Sequence, residues 1–171
     1  MATIIKAPEG LTAKEKKVTT TLFLAGPFED GDGDEQPPRS WRDEVIDAYA
    51  DLDITIYDAR SARWPGLEAG SARQRGAYEW QCATAFDADV VIVWVPEDRH
   101  APTALMILGY LAAKRGNAKR GSSVIVGGGG WDGLVKLFAQ NGRLFRMEDD
   151  LSEVIRVARL SLEDALKTKA G

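Results

Sequence analysis

DVVIVWVP (residues 89–96) decides the fold of this chain. After Asp89 the run continues without a polar residue until Pro96 ends it. An uninterrupted run of β-branched and aromatic residues is typical of a strand that is buried on both faces. Pro96 lacks the N–H that a strand ladder needs, so the strand ends there. A strand covered on both sides predicts a parallel sheet between two layers of helices.

Segments with similar patterns lie on both sides of this strand. Four more strands are predicted, at 18–26, 53–60, 122–128 and 143–147. Helices are predicted between and after the strands, at 41–52, 77–88, 101–116, 129–142 and 150–170. The chain is therefore expected to be a single-domain α/β protein over 18–171, with a flexible segment at 1–17. Five strands suggest a flavodoxin-like (Rossmann-like) parallel sheet with helices on both faces, which binds ligands beyond the carboxyl ends of its strands.

The stretch APTALMILGYLAAKRG (101–116) follows the central strand directly. Thr103 is a reasonable N-cap, and every residue from Ala104 to Ala112 is apolar, aromatic or glycine. A helix that is apolar all round is expected to be buried on every side. Part of its surface is alternatively suited to a contact between subunits.

Composition excludes several classes of function. The 171 residues carry 22 Lys and Arg against 26 Asp and Glu, a net charge of −4, which argues against general nucleic-acid binding. Cys82 is the single cysteine and His100 the single histidine, too few for a zinc site. One cysteine fits a reducing, cytoplasmic location. The apolar runs are too short to span a membrane, and no signal peptide is visible.

Candidate ligand contacts follow the predicted strands. Gly26 would let a ligand approach the backbone, with Pro27 stiffening the turn, although any strand can end in Gly-Pro. Asp58 and Arg60 end the second strand, where they suit a sugar hydroxyl and a phosphate or form a surface ion pair. Trp64 can stack on a base.

Two further loops have equally open interpretations. Glu97 and Asp98 follow the central strand, either as functional carboxylates or as part of a solvated loop. The glycines at 127–130 can hold a phosphate at a helix N-terminus or form a flexible turn. Trp41 is able to stack on a base, but core packing at the start of a helix is favoured for it.

Six stretches in order resemble the nucleoside 2-deoxyribosyltransferase family, and especially its deoxyribosyltransferase-like branch. They are LFLAGPF (22–28), WRDE (41–44), IYDAR (56–60) followed by Trp64, YEW (78–80), DADVVIVWVPED (87–98) and ILGYLA (107–112). The resemblance implies a flavodoxin-like fold, a homo-oligomer, and cleavage or exchange of an N-glycosidic bond without a metal or organic cofactor. It also implies that a glutamate forms a glycosyl-enzyme intermediate, as in retaining glycosidases.

The resemblance places a pocket of nucleoside or nucleoside-monophosphate size between residues 26–40, 58–64 and 96–103. Gly26, Pro27 and Phe28 would form its floor beside the base, and Trp94, Pro96 and Asp98 its opposite wall. The remaining expected contacts are Asp58, Arg60, Trp64, Gln81, Glu97 and Ile107.

Two positions depart from the family pattern where its chemistry is expected. Counting back from Gly109, the nucleophile position falls on Ile107, and Gln81 follows Trp80 where a glutamate is usual. Phe23 is a milder departure, standing where many members have tyrosine. Three functions therefore stay open: transfer or hydrolysis through an altered acid set with Asp98 as the base on water, nucleotide binding without turnover, and a structural oligomer that kept the fold.

Overall fold

The computed structural model confirms an α/β fold built on a parallel sheet. It describes residues 1–6, 19–27, 40–60, 70–97, 101–115, 123–129 and 145–170. Within these ranges six strands are present: β1 (Thr3–Lys6), β2 (Thr20–Ala25), β3 (Ile54–Asp58), β4 (Val90–Trp94), β5 (Ser123–Gly127) and β6 (Phe145–Glu148). Their order in the sheet is β1-β3-β2-β4-β5-β6, and every neighbouring pair is parallel. Without β1, this is the flavodoxin-like order.

Strand β1 is one strand more than the sequence predicted. Residues 1–17 were expected to be a flexible segment, but Thr3–Lys6 pairs in parallel with β3 at the edge of the sheet. A run of four residues is too short to show strand periodicity, and Ile4 is 45% exposed, as an edge position allows. Residues 7–17 of the predicted segment lie outside the described residues.

Four helices flank the sheet in the described part of the chain: α1 (Trp41–Ala48), α2 (Ala72–Asp87), α3 (Pro102–Arg115) and α4 (Leu151–Ala170). Helix α2 begins five residues earlier than predicted, in a stretch that was expected to be a loop. Ser71 explains the early start, because its side chain accepts a hydrogen bond from Gln74 N at 3.1 Å. The Gln74 side chain in turn accepts from Gly70 N at 2.7 Å, in the manner of a capping box. The helix predicted at 129–142 lies outside the described residues.

The inner strands β2 to β5 send alternate side chains into two separate core layers. Phe23, Val91 and Val93 face the layer that α2 and α3 cover. Leu22, Leu24 and Ile92 face the layer that α1 and α4 cover. The sheet is thus buried on both sides, as the continuous apolar run of β4 predicts.

Helix α3 is not buried on every side, so that expectation is wrong. Leu105 is 46% and Met106 38% exposed, whereas Ile107 is only 1% exposed. The buried positions follow ordinary helical spacing at Ala101, Ala104, Ile107, Leu108 and Leu111. Thr103 is not the N-cap either. The helix begins at Pro102, whose missing N–H costs nothing in a first turn.

One carboxylate, that of Asp89, connects several elements at the amino-terminal ends of the strands. Asp89 Oδ2 accepts hydrogen bonds from Thr21 N at 2.8 Å and Thr21 Oγ1 at 2.9 Å. Lys169, at the end of α4, reaches the same oxygen at 2.7 Å and the carbonyl of Thr19 at 3.1 Å. These contacts fix β2, β4 and α4 to one another on the side away from the strands' carboxyl ends. None of the helices described here has both the length and the apolar character needed to cross a bilayer.

Candidate functional site

The strand order places a switch point between β2 and β4, at the carboxyl ends of the strands. The chain passes from β2 to β3 on one side and from β4 to β5 on the other, so the connections that leave these two neighbouring strands run in opposite directions. Ligands of open α/β sheets bind at such a switch point. The residues next to it are Gly26 and Pro27 after β2, Asp58 to Arg60 at the end of β3, and Val95 to Glu97 after β4.

Arg42 holds the turn that follows β2 through hydrogen bonds to its carbonyl groups. Its side chain is completely buried, and it donates hydrogen bonds from Nη1 to the Pro27 carbonyl at 2.5 Å and from Nη2 to the Gly26 carbonyl at 2.9 Å. The guanidinium also lies 4.4 Å from the ring centroid of Trp41. Two successive carbonyls held by one rigid fork fix the direction of the turn after β2.

Asp58 connects that fork to the end of β3. Its Oδ1 lies 3.4 Å from Arg42 Nε and accepts from Arg60 N at 3.0 Å. Its Oδ2 accepts from Arg60 Nε at 2.6 Å. Because the side chain is 0% exposed and both oxygens have cationic partners, Asp58 positions the two arginines and does not itself offer a surface to a ligand.

Arg60 is the partly accessible end of this network. Its side chain is 27% exposed, and its Nη2 donates to Asp43 Oδ1 at 2.8 Å. The hydrogen bond from Arg60 holds the pKa of Asp43 below its usual range, so Asp43 is ionised at neutral pH. Burial works to lower the pKa of Arg60, but the hydrogen bonds to Asp43 and Asp58 outweigh it and raise the pKa. Asp58 and Arg60 were expected either to contact a sugar hydroxyl and a phosphate or to form a surface ion pair. They do form an ion pair, but its carboxylate is buried.

Gly26 is required by packing around the turn. A Cβ atom there would lie 2.5 Å from the Trp94 carbonyl oxygen and 2.6 Å from Trp41 Cζ2. Trp41 is 6% exposed and belongs to the core, which confirms the core-packing interpretation of its role. The space beside the Gly26 α-carbon is therefore filled by protein atoms.

The glycines at the end of β5 lie close to the tip of β4. A Cβ on Gly127 would meet Val154 Cγ2 and the Trp94 ring, and one on Gly128, whose φ is +103°, would meet the Val95 carbonyl. Packing thus accounts for Gly127 and Gly128. A Cβ on Gly129 would lie 3.1 Å from Glu97 Cδ, but the Glu97 side chain is exposed and flexible, so packing does not require glycine at that position.

Ile107 and Gln81 are both buried. Ile107 is 1% and Gln81 2% exposed, and Ile107 packs in the core layer under α2 and α3. The neighbouring Trp80 contacts the rings of Phe23 and Tyr57, with centroids 6.3 Å and 6.4 Å away. Both positions are parts of the helix–sheet core in this structure.

The structure brings only some of the predicted residues together. Asp58 and Arg60 are joined to the Gly26–Pro27 turn through Arg42, and the Trp94 carbonyl adjoins Gly26. Three expected residues, Phe28, Trp64 and Asp98, fall outside the described ranges. Among the residues that the structure places, no three His, Cys, Asp or Glu side chains gather as a metal-ligand set.

Sequence reasoning missed Arg42 and Asp43, although both stand inside the quoted WRDE stretch. One signal was available for Arg42. It precedes Val45 by three positions and Tyr49 by seven, so helical spacing puts it on the buried face of α1. A charged residue on that face requires buried acceptors, and the carbonyls of the preceding turn supply them.

Fold and strand order together define an α/β protein whose parallel sheet has a switch point between β2 and β4. Comparison with family models gives a match to the family described as nucleoside 2-deoxyribosyltransferase like, over residues 19–120. The match covers 102 of 171 residues, and the chain belongs to this family. Comparison with curated proteins gave no match.

Proposed function

We propose that the chain binds a nucleoside or nucleoside monophosphate at the carboxyl edge, between the turns that follow β2 and β4. The observation that carries this proposal is the Arg42 fork, which holds the Gly26 and Pro27 carbonyls and links them to Asp58. Burying a charged side chain is costly unless it is fully paired, and here it fixes one turn at the switch point of the sheet. The family match supports nucleosides as the ligand class.

Each segment that follows the carboxyl end of β2, β3 or β4 has a proposed part in binding. Gly26, Pro27 and Phe28 form the floor beside the base, and Trp64 stacks on it. Arg60 meets the sugar or its phosphate, with Asp58 holding the guanidinium in place. The opposite wall comes from Trp94, Pro96 and the loop that follows.

A second candidate function is hydrolysis of the N-glycosidic bond by that loop. The exposed Glu97 after β4 favours it, because Glu97 presents a carboxylate at the switch point and is followed in the sequence by Asp98. Asp98 acts in this proposal as a general base that takes a proton from water. The water oxygen bonds to the anomeric carbon as the carbon–nitrogen bond breaks; the nitrogen of the departing nucleobase takes up a proton from solvent, and Asp98 returns to solvent the proton that it accepted. Ile107 carries no lone pair, so a glycosyl-enzyme intermediate on α3 is not part of this route.

Two further properties are part of this proposal. The exposed Leu105 and Met106 on α3 suit a contact between copies of the chain, in keeping with a homo-oligomer whose size sedimentation would measure. The single cysteine suits a cytoplasmic location.

The test is a panel of deoxynucleosides, ribonucleosides and their monophosphates, incubated with the pure protein with and without an acceptor base. Chromatography measures released or exchanged base, and thermal shift measures binding, since a ligand of the folded state raises Tm. Release that Asp98→Asn abolishes supports hydrolysis by the loop after β4. A thermal shift without release supports binding alone, and absence of both contradicts the proposal.

A matched pair of variants tests where the ligand binds. Arg60→Ala removes the accessible guanidinium of the network, whereas Arg156→Ala removes an exposed arginine on α4 that pairs only with Glu153 among the contacts described. We expect the first variant to weaken the thermal shift and the second to leave it in place. Equal shifts in both variants would place the ligand elsewhere.

A further inference from the structure

Four charged side chains contact one another at the end of β3, two of each sign. Arg42 and Arg60 supply two positive charges, and Asp58 and Asp43 supply two negative charges. Lys6 ends β1 in register with Asp58 and adds one more cation, but on an exposed side chain that solvent and salt screen. The contacting group of four therefore carries no net charge.

The two carboxylates in the group differ in accessibility. Asp58 is 0% exposed and joins both arginines, so it belongs to the framework of the fold. Asp43 has a 47% exposed side chain, which accepts from Arg60 and also forms a hydrogen bond with the backbone of Ser40. It stands in the first turn of α1, where the helix N-terminus favours a negative charge.

A phosphate that reached Arg60 would meet Asp43 on the same guanidinium. The Arg60 guanidinium has further N–H groups that are not used in the contacts to Asp58 and Asp43. An anion on those groups would lie within a few ångströms of the Asp43 carboxylate, and like charges at that separation repel. A neutral sugar hydroxyl meets no such repulsion and can accept from the same N–H groups.

We propose that Asp43 is a specificity-determining residue, which acts through Arg60 to favour an uncharged nucleoside over its 5′-monophosphate. This inference rests on the proposed binding of nucleosides at the carboxyl edge. Asp43 is a positioning residue in this role: it holds Arg60 at Nη2 and cancels its charge, while the ligand contacts Arg60.

The experiment compares dissociation constants for deoxynucleosides and their 5′-monophosphates by calorimetry. Wild type, Asp43→Asn, Asp43→Glu and Glu44→Gln are measured at low and high salt. The readout is the ratio of the monophosphate constant to the nucleoside constant, because a loss of stability would weaken both ligands together and leave the ratio unchanged. Glu44→Gln is the matched control: it removes the same charge from the next residue of α1, which is exposed.

Wild type should bind the nucleoside more tightly than the monophosphate. Asp43→Asn should lower the ratio by about five- to tenfold at low salt, as expected for one partly exposed charge facing a phosphate, and by less at high salt. Asp43→Glu should restore the wild-type ratio, and Glu44→Gln should change it by less than about twofold.

Two results would overturn the inference in distinguishable ways. If nucleosides bind and the ratio is the same in wild type and Asp43→Asn, Asp43 does not select the ligand, although the proposed binding stands. If no variant binds either ligand, the proposed function fails, and the role of Asp43 fails with it.

Discussion

Replacing Arg42 by lysine tests the part of the fold that connects the core to the candidate site. Lysine keeps the positive charge but has one nitrogen, so it cannot reach two carbonyls and Asp58 together. The loss of one charge-assisted hydrogen bond costs about 1.5–3 kcal/mol, and the loss of the contact with the Trp41 ring costs about 0.5–2 kcal/mol. Together they predict a decrease of about 2–5 kcal/mol in the free energy of unfolding.

Urea denaturation followed by circular dichroism measures this decrease, with Arg156→Lys as control. Arg156 forms an exposed pair with Glu153 on α4, so its replacement should change stability by less than about 0.5 kcal/mol. Arg42→Lys should also weaken the thermal shift caused by any nucleoside ligand, because the turn after β2 is no longer fixed. A decrease below about 1 kcal/mol would refute the view that this fork holds the turn in place.

Two other substitutions have expected outcomes that depend on burial. Ile107→Glu should destabilise the fold by about 3–5 kcal/mol in urea titrations, because the position is 1% exposed, while Ile107→Met should cost less than about 1.5 kcal/mol. The pKa of the buried glutamate would be raised, so the loss of stability should grow as the pH rises above about 4.3. An Ile107→Glu variant as stable as wild type would instead show that this position is open to solvent or ligand. Burial raises the pKa of Tyr49, whose hydroxyl donates to the Ile155 carbonyl at 2.8 Å. The contribution of this protonated hydroxyl to the free energy of unfolding is therefore complete below about pH 10 and is lost as the pH rises further. Tyr49→Phe should therefore lower stability by about 1 kcal/mol at pH 7 and lessen the alkaline decrease, and an unchanged pH profile above 10 would contradict this.

The fold was predictable from sequence because its strongest signals are local. The run that became β4 contains nothing but apolar residues before its proline, and such a run fits only a strand with both faces covered. The start of α2 was missed because Arg73 and Arg75 give its first turns no apolar stripe. The signal for this helix start was instead the capping pair of Ser71 and Gln74.

The site was less predictable because its residues act through partners far along the chain. Arg42 contacts Asp58 and the carbonyls of Gly26 and Pro27, which lie about 15 positions to either side. A sequence shows that these charges exist but not that they meet at one edge of a sheet. Gly26 illustrates the same limit: the sequence does not show that Trp41 and the Trp94 carbonyl lie where its side chain would be.

Strand β1 has a consequence for the order in which the chain assembles. It precedes its partner strand by some fifty residues, because Thr3 pairs with Thr55. As an edge strand it pairs only with β3, and the pairing of the inner strands does not depend on it. We therefore expect β1 to dock onto a sheet that is already formed, and hydrogen exchange should show it opening before the inner strands. Its docking brings Lys6 beside Asp43 and Asp58, so the contribution of Lys6 to the electrostatics of that corner should come late in folding.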